Sequence, residues 1–559
     1  MPEISWYKKV GQLFIEQGFI TSEQLEEALE EQRLTGQKIG EILVNKGWLT
    51  SEEVKKVLEK QTGVKNIDLS MHIIDPELIK IIPEEMAIKY KLIPVLKSEN
   101  KIVVAMADPS NVFVIDELER QTNCLIEPVL ANEMDIRRAQ DQYYGTSNVL
   151  QEIIASIDKN KLTEGDSLGE EAPIIKIVNI LITRAVEMRA SDIHIEPEEK
   201  FLGVRYRIDG ILYRQRPLPK ELQPAVTSRL KIMANLDIAE KRIPQDGRMV
   251  MKISDKKIDF RVSTCPVVFG ENVVMRILDK SGLVLGLENL GFSPEELKRF
   301  EHLISQPYGI ILVTGPTGSG KTTTLYSALE KLNKADVNIM TVEDPVEYQF
   351  SSIRQVQVNF KAGLNFATAL RSFLRQDPDI IMVGEIRDLE TAEIAVQAAL
   401  TGHLVLSTLH TNDAPSAFTR LIDMGVEPFL VFSSLLGVLA QRLVRKVCEK
   451  CREQYVPSDE VLKDLGVEET IDASIKFSRG KGCRFCNQSG YRGRVAIYEL
   501  LTNSPAVQEL VLKKSSANEI REIARKEGMT LLREAAIEKL LSGVTTVEEV
   551  ARVTQSIEM

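Results

Sequence analysis

The sequence predicts a multidomain α/β fold organised around a parallel β-sheet. Three observations carry this reading. At 559 residues the chain is too long for one hydrophobic core, so three or four domains are expected. From about residue 285, strand-length apolar runs alternate with Gly-rich turns and helical stretches, the pattern of parallel strands joined by crossover helices. Within that pattern the run Ile310 to Thr314 leads straight into a G-x-x-x-x-G-K-[ST] loop, and Thr323 to Leu332 beyond it is helical.

Composition narrows the class. Hydrophobic residues make up 43% and charged residues 27%, as in ordinary globular chains. No apolar run is long enough to span a bilayer, so work at a membrane is expected to go through partners. The start, Met1 to Trp6, lacks the basic and apolar segments of a signal peptide, which makes the expected location cytoplasmic. A formal net charge of -11 weighs against nucleic acid as a direct partner. Four of the six cysteines fall in two close pairs, which in a cytosolic chain points to metal before disulfide.

Along the chain, residues 1–62 hold an internal repeat with a period of 29 residues: Lys9-Val10-Gly11 recurs as Lys38-Ile39-Gly40, and Gly18 as Gly47. Each copy carries a capping box, Thr21 to Gln24 and Thr50 to Glu53, before apolar residues at helical spacing. Residues 63–150 read as a second α+β segment, with a strand from Lys101 and a helix from Val114 to Gln121. Residues 151–172 have linker composition. A β-rich domain spans 173–283, and 284–559 forms the nucleotide-binding domain. The latter includes a small cysteine lobe at 445–495 and C-terminal helices at 505–559.

The loop Gly315, Pro316, Thr317, Gly318, Ser319, Gly320, Lys321, Thr322 is the strongest chemical signal. Its backbone N–H groups, with Thr323 opening the helix, suit the phosphates of ATP. Lys321 would reach the β/γ oxygens, and the Thr322 hydroxyl would bind Mg²⁺. Asp379 to Glu385 is an apolar strand ending in an acid, the second element that holds Mg²⁺, with Glu385 as its carboxylate. Between the two lies a strand ending in acids, Glu343-Asp344-Pro345-Val346-Glu347, which supplies a group to orient the attacking water. His403 and His410 flank a further apolar strand and read as γ-phosphate sensors. Cys448, Cys451, Cys483 and Cys486 form two C-x-x-C knuckles that suit tetrahedral, structural Zn²⁺.

At these residues the chain resembles the GspE/PilB family of secretion and pilus assembly ATPases. Ala190-Ser191-Asp192-Ile193-His194-Ile195-Glu196-Pro197 matches the family's signature, Glu343 to Glu347 its aspartate box, and Gly402-His403 to His410 its histidine box. The tetracysteine lobe followed by Gly490-Tyr491-Arg492 is also typical, and it is missing from the retraction motors. The resemblance implies a homohexamer of RecA-like P-loop domains, each preceded by a mobile PAS-like N2 domain. It also implies Glu343 as general base and Glu385 as the Mg²⁺-side acid, with Arg261, Arg276, Arg371, Arg375, Arg387 and Arg492 reaching nucleotide. The N-terminal repeat resembles the MshEN module, which implies cyclic di-GMP bound near Lys9, Gly11, Gly18, Lys38, Gly40 and Gly47.

The function this implies is a motor driving type IV pilus extension at the inner face of the cytoplasmic membrane. Its partners would be an inner-membrane platform protein and that protein's cytoplasmic adaptor. The alternatives are a type II secretion ATPase, a nucleotide-gated scaffold with negligible turnover, and a DNA translocase.

Overall fold

A computed structural model of the chain describes residues 14–15, 19–35, 39, 42–43, 46, 48–49, 65–67, 69, 74, 76–79, 81–98, 100–109, 111–144, 153, 172–253, 255–278, 286–457, 459–466 and 476–554. They fall into two compact units. One comprises Met1–Ile277 with Cys448–Gly490, the other Leu278–Val447 with Tyr491–Met559.

In the first unit, the capping box expected at Thr21 is formed. The Thr21 N–H donates to Gln24 Oε1 at 2.8 Å, and the Gln24 N–H donates to Thr21 Oγ1 at 3.3 Å, opening the helix Ser22–Thr35. The second capping box and all six glycines and lysines assigned to cyclic di-GMP lie outside the described residues. A three-stranded sheet follows. Strand β1 (Leu92–Ser98) pairs antiparallel with β2 (Lys101–Met106), and β2 pairs parallel with β3 (Leu125–Leu130) through the crossover helix Val112–Thr122.

The β-rich domain opens with the helix Ala172–Glu187. Its buried stripe Ile174, Ile177, Val178, Leu181, Ile182 and Ala185 has i, i+3, i+4 spacing and covers one face of a seven-stranded sheet. The strands are β4 (Ala190–Pro197), β5 (Phe201–Ile208), β6 (Ile211–Arg214), β7 (Leu218–Pro219), β8 (Gln245–Ile253), β9 (Lys256–Val267) and β10 (Gly270–Leu278). Their order is β6-β5-β4-β10-β9-β8, with β7 on β5. Alternate residues of β4 and β5, such as Ile193, Ile195, Val204 and Tyr206, face the helix. The Tyr206 hydroxyl donates to Leu181 O at 2.7 Å, satisfying the one polar atom of a buried ring.

The second unit is a seven-stranded sheet built from β11 (Gly309–Thr314), β12 (Ile339–Glu343), β13 (Arg354–Gln357), β14 (Ile380–Val383), β15 (Leu404–Leu409) and β16 (Leu435–Val447). After the cysteine segment, which carries β17 (Arg452–Tyr455) and β18 (Phe477–Gly480), it is completed by β19 (Tyr491–Thr502). The order is β13-β12-β14-β15-β11-β16-β19. All pairs are parallel except the last. Every residue of β11, β12, β14 and β15 is buried, which is why these strands read in the sequence as unbroken apolar runs. β16 is longer than its neighbour. Ile310 to Thr314 pair with Leu435 to Ala440, and Gln441 to Val447 run on, paired with β19 alone. Four helices close the chain, Pro505–Leu512, Ala517–Lys526, Leu532–Leu541 and Val547–Thr554, as the helical reading of 505–559 expects. No helix of the described residues is long and apolar enough to cross a membrane.

Candidate active site

The carboxyl ends of the parallel strands lie along one edge, and the glycine-rich loop leaves β11 there. Gly315 and Gly320 have φ of 146° and 91°. A Cβ on Gly315 would stand 2.5 Å from Gln441 O, and one on Gly320 2.7 Å from Gln441 Nε2, so the loop is moulded against β16 in a shape that excludes side chains. The helix Lys321–Leu332 starts directly behind it. That puts its free N–H groups and positive dipole end at the loop. Lys321 folds back, with Nζ donating to Gly315 O at 2.8 Å and Pro316 O at 3.2 Å. Burial pushes its ammonium down to about 8, and Arg442 adds to the shift, while Glu385 opposes it.

The two acids arrive on neighbouring strands. Val342 pairs with Val383, so Glu343 ends β12 beside Gly384, and Glu385 follows one residue later. Glu385 is paired with Arg387 at 2.6 Å and with His410 Nε2 at 3.3 Å. Thr322 and Glu385 offer a hydroxyl and a carboxylate, hard oxygen donors of the kind Mg²⁺ takes. Glu343 is buried and accepts from the Tyr326 hydroxyl, from Thr341 Oγ1 at 2.6 Å and from Gln355 Nε2 at 3.1 Å. Burial and the facing Glu343 charge hold the Tyr326 phenol well above its usual range, so it remains a donor.

The segment after β15 is pinned to the loop's own strand. The Thr411 N–H donates to Thr314 Oγ1 at 2.9 Å, and Arg442 Nη2 donates to Asn412 O at 2.9 Å. Asp413 accepts from Arg521 of a C-terminal helix at 2.8 Å. Buried Glu499 takes N–H bonds from Ala414 at 2.8 Å and Leu532 at 3.2 Å, and burial raises it to about 7. Tyr326, Thr341, Gln355, Gln441 and Arg442 were not singled out in the sequence. Tyr326 and Thr341 lie within the expected helix and strand but hold no motif position there, and Gln355, Gln441 and Arg442 reach the site from other strands.

Not every expected residue gathers here. His403 requires a correction. It precedes β15, at the end where Leu404 pairs with Gly309, whereas the loop follows Thr314 at the other end. A six-residue strand separates them by roughly 17 Å. Its Nδ1 lies 2.8 Å from Ala398 O, a helix carbonyl, so in this chain it is a packing residue. Arg371 pairs with Glu390 at 2.7 Å, and Arg375 donates to Arg371 O at 2.8 Å, both on the surface. Arg492 is the second residue of β19, four positions from Ala496, whose partner Leu443 lies against the loop at Gly320, so it stands roughly 13 Å along the strand from the loop. Arg261 lies on β9 and Arg276 on β10, both in the first unit. There Arg276 Nε donates at 3.0 Å to buried Asp192 of the Ala190 to Pro197 signature.

The four cysteines converge as the knuckle spacing requires. Their sulfurs all lie within 4.8 Å of one another. The Cys448–Cys483, Cys451–Cys486 and Cys483–Cys486 separations are 3.9, 3.8 and 3.7 Å. Tetrahedral zinc with Zn–S bonds of about 2.3 Å sets its ligand sulfurs about 3.8 Å apart, so the set fits. The knuckles sit at one end of the antiparallel β17–β18 pair. Gly480 and Gly490 approach so closely there that a Cβ on Gly480 would fall 2.1 Å from Gly490 O.

With this geometry in place, comparison with known proteins is decisive. The type II/IV secretion system protein family matches residues 167–552. The chain belongs to that family. It is a P-loop ATPase. It is 49% identical to the type IV pilus assembly ATPase PilB of Myxococcus xanthus over 97% of this chain and 98% of that one. It is 46% identical to the type II secretion system protein E of Xanthomonas campestris pv. campestris, over 84% of this chain and 83% of the relative. Among solved structures, the ATPase DotB of Yersinia pseudotuberculosis superimposes with a TM-score of 0.51 at 22% identity, covering 68% of this chain and 94% of that chain, a likeness of fold. The MshEN domain matches residues 62–149 of this secretion-family ATPase. The matched segment is the α+β region holding β1 to β3, which follows the repeat at 1–62.

Proposed function

We propose that the chain is a hexameric motor that hydrolyses ATP to drive pilin addition in type IV pilus extension. It would act at the inner face of the cytoplasmic membrane through an inner-membrane platform protein and a cytoplasmic adaptor. The observation that carries this reading is co-linearity. The pilus assembly relatives from Myxococcus xanthus and Acinetobacter baylyi align over 97% of this chain and at least 95% of their own, N-terminal region included. The secretion protein HxcR of Pseudomonas aeruginosa is more similar, at 55%, but only over 69% of the chain. The shared motor half does not discriminate between the two machines. Full-length alignment through the N-terminal region, where partners would be chosen, supports the pilus reading; the secretion protein E of Xanthomonas campestris pv. campestris reaches 84% of the chain.

In the reaction, the loop N–H groups and Lys321 hold the β- and γ-phosphates, and Glu343 accepts a proton as water attacks the γ-phosphorus. Mg²⁺ held by Thr322 and Glu385 would supply charge neutralisation on the β/γ oxygens. Arg387 and His410 hold Glu385 in place, and Arg261 and Arg276 are the arginines that the family resemblance assigns to the developing phosphate charge. Zn²⁺ in the cysteine lobe would be structural. Cyclic di-GMP binding at the N-terminal region is the regulatory part of the proposal, supported by the MshEN match. Calorimetry on the full chain that detects no heat at tens of micromolar ligand would remove it.

The function is tested by placing Lys321→Ala in the native strain. Loss of surface pili with type II secretion intact is expected. Intact pili with lost secretion would overturn the proposal in favour of the secretion ATPase, the second reading, which the 55% identity to HxcR favours.

A further inference from the structure

The carboxylate of Glu343 is held on both oxygens. Oε1 accepts from Thr341 at 2.6 Å and from Gln355 at 3.1 Å, and Oε2 accepts from the Tyr326 hydroxyl. A carboxylate offers about four lone-pair directions. Three are taken, and the one left is on Oε2, the oxygen shared with Tyr326. Tyr326 belongs to the helix that begins at Lys321, five residues on. Its hydroxyl accepts from the Glu347 N–H at 3.2 Å, and its ring stacks edge-on against Phe350, with centroids 5.2 Å apart. A single phenol thus gives its proton to the acid and its lone pair to the turn behind it.

We propose that Tyr326, backed by Thr341, is a positioning residue that ties the water-activating carboxylate to the phosphate-binding helix as one rigid part and leaves a single Oε2 direction for the attacking water. This rests on Glu343 being the general base proposed above. In the step itself, the water oxygen bonds to the γ-phosphorus, the bond from that phosphorus to the β/γ-bridging oxygen breaks, ADP leaves with the electron pair, and the water proton passes to Oε2. Titratable neighbours are Tyr326 on the helix and Asp344, Glu347 and Tyr348 on the acid's own turn, while Thr341 and Gln355 are uncharged. The phenol stays protonated across the assay range, because burial and Glu343 both push its titration upward.

The test compares Tyr326→Phe, Thr341→Val and Glu343→Gln in the full chain, reading kcat, KM for ATP, the pH profile of kcat and Tm. Phe keeps the ring packing and removes both hydrogen bonds. For Tyr326→Phe, kcat is expected to fall about tenfold with KM within about threefold, as for a hydrogen bond to a charged group that acts on chemistry alone. The acidic limb of the profile is expected to move up by about one pH unit, because a carboxylate that loses a donor is more easily protonated. Thr341→Val is expected to move the limb in the same direction, and it answers the question if the Tyr326 variant does not fold. Unchanged kcat and limb in the folded variants, with Glu343→Gln inactive, would overturn the positioning role and leave the base intact. Full turnover by Glu343→Gln would overturn both.

Discussion

Nucleotide binding should draw a proton from solvent, and the amount is set by Lys321. In the nucleotide-free chain burial holds this ammonium at about 8 rather than 10.5. At pH 8 the side chain is therefore about half neutral, and at pH 7 about one-tenth neutral. A bound triphosphate places several negative charges beside Nζ and restores full protonation. The expected uptake is about 0.5 proton per site at pH 8 and about 0.1 at pH 7. Calorimetric titration with a non-hydrolysable ATP analogue in Tris and in HEPES, whose ionisation enthalpies differ, reads this directly. The same lysine fixes a sign for stability. The unfolded chain binds more protons between pH 8 and 10.5, so the nucleotide-free protein gains stability from this group as pH rises through that window, while nucleotide affinity falls. Heats that coincide in the two buffers at pH 8, or an uptake no larger at pH 8 than at pH 7, would refute the reasoning.

Three further outcomes are expected. Cys486→Ser should lose the one zinc expected per chain, measured with a chromogenic chelator after denaturation, while ATP affinity stays within about twofold, since the phosphate-binding groups come from the loop after β11 and the helix Lys321–Leu332 and none is a lobe residue. Buried Glu549 accepts from the Arg445 backbone N–H at 2.9 Å, from the Arg445 side chain at 2.7 Å and from Arg552 at 2.8 Å, and despite its burial these donors hold it at about 2. Glu549→Gln should cost about 3 kcal/mol in urea unfolding at pH 7, with the difference from the parent shrinking as pH falls from 4.5 towards 2. Gly315→Ala, with its Cβ against Gln441 O and φ in a range that disfavours side chains, should weaken ATP binding at least about tenfold by equilibrium titration.

The parts of the site legible in the sequence are those whose physics is local. A phosphate loop needs a buried strand before it, glycines within it and a helix behind it, and all three are contiguous. The acid that ends an apolar strand is legible for the same reason, and Glu343 and Glu385 do end neighbouring strands. Tyr326, Gln355 and Arg442 were hidden because their partners are set by the order of strands. Thr324 meets Gln441 across 117 residues, and no spacing rule reaches so far. His403 was misread for a different reason. Two histidines flanking one strand look equivalent in a motif, but a strand has two ends, and only His410 is at the carboxyl end with Glu385. The final antiparallel strand was also hidden, because Gly490-Tyr491-Arg492 reads as a motif in its own right and overlaps the start of the strand that continues into the apolar run behind it.

The long β16–β19 pair bears on how such ATPases diversify. Everything from Cys448 to Gly490 leaves and re-enters the sheet at one rung, Val447 opposite Tyr491. Two residues in a tight reversal would bridge that rung as well as the cysteine lobe does. The lobe is thus a cassette on one rung: adding, enlarging or discarding it leaves the register of the strands that frame the loop unchanged, so an ATPase of this family can change its accessories while its core stays the same.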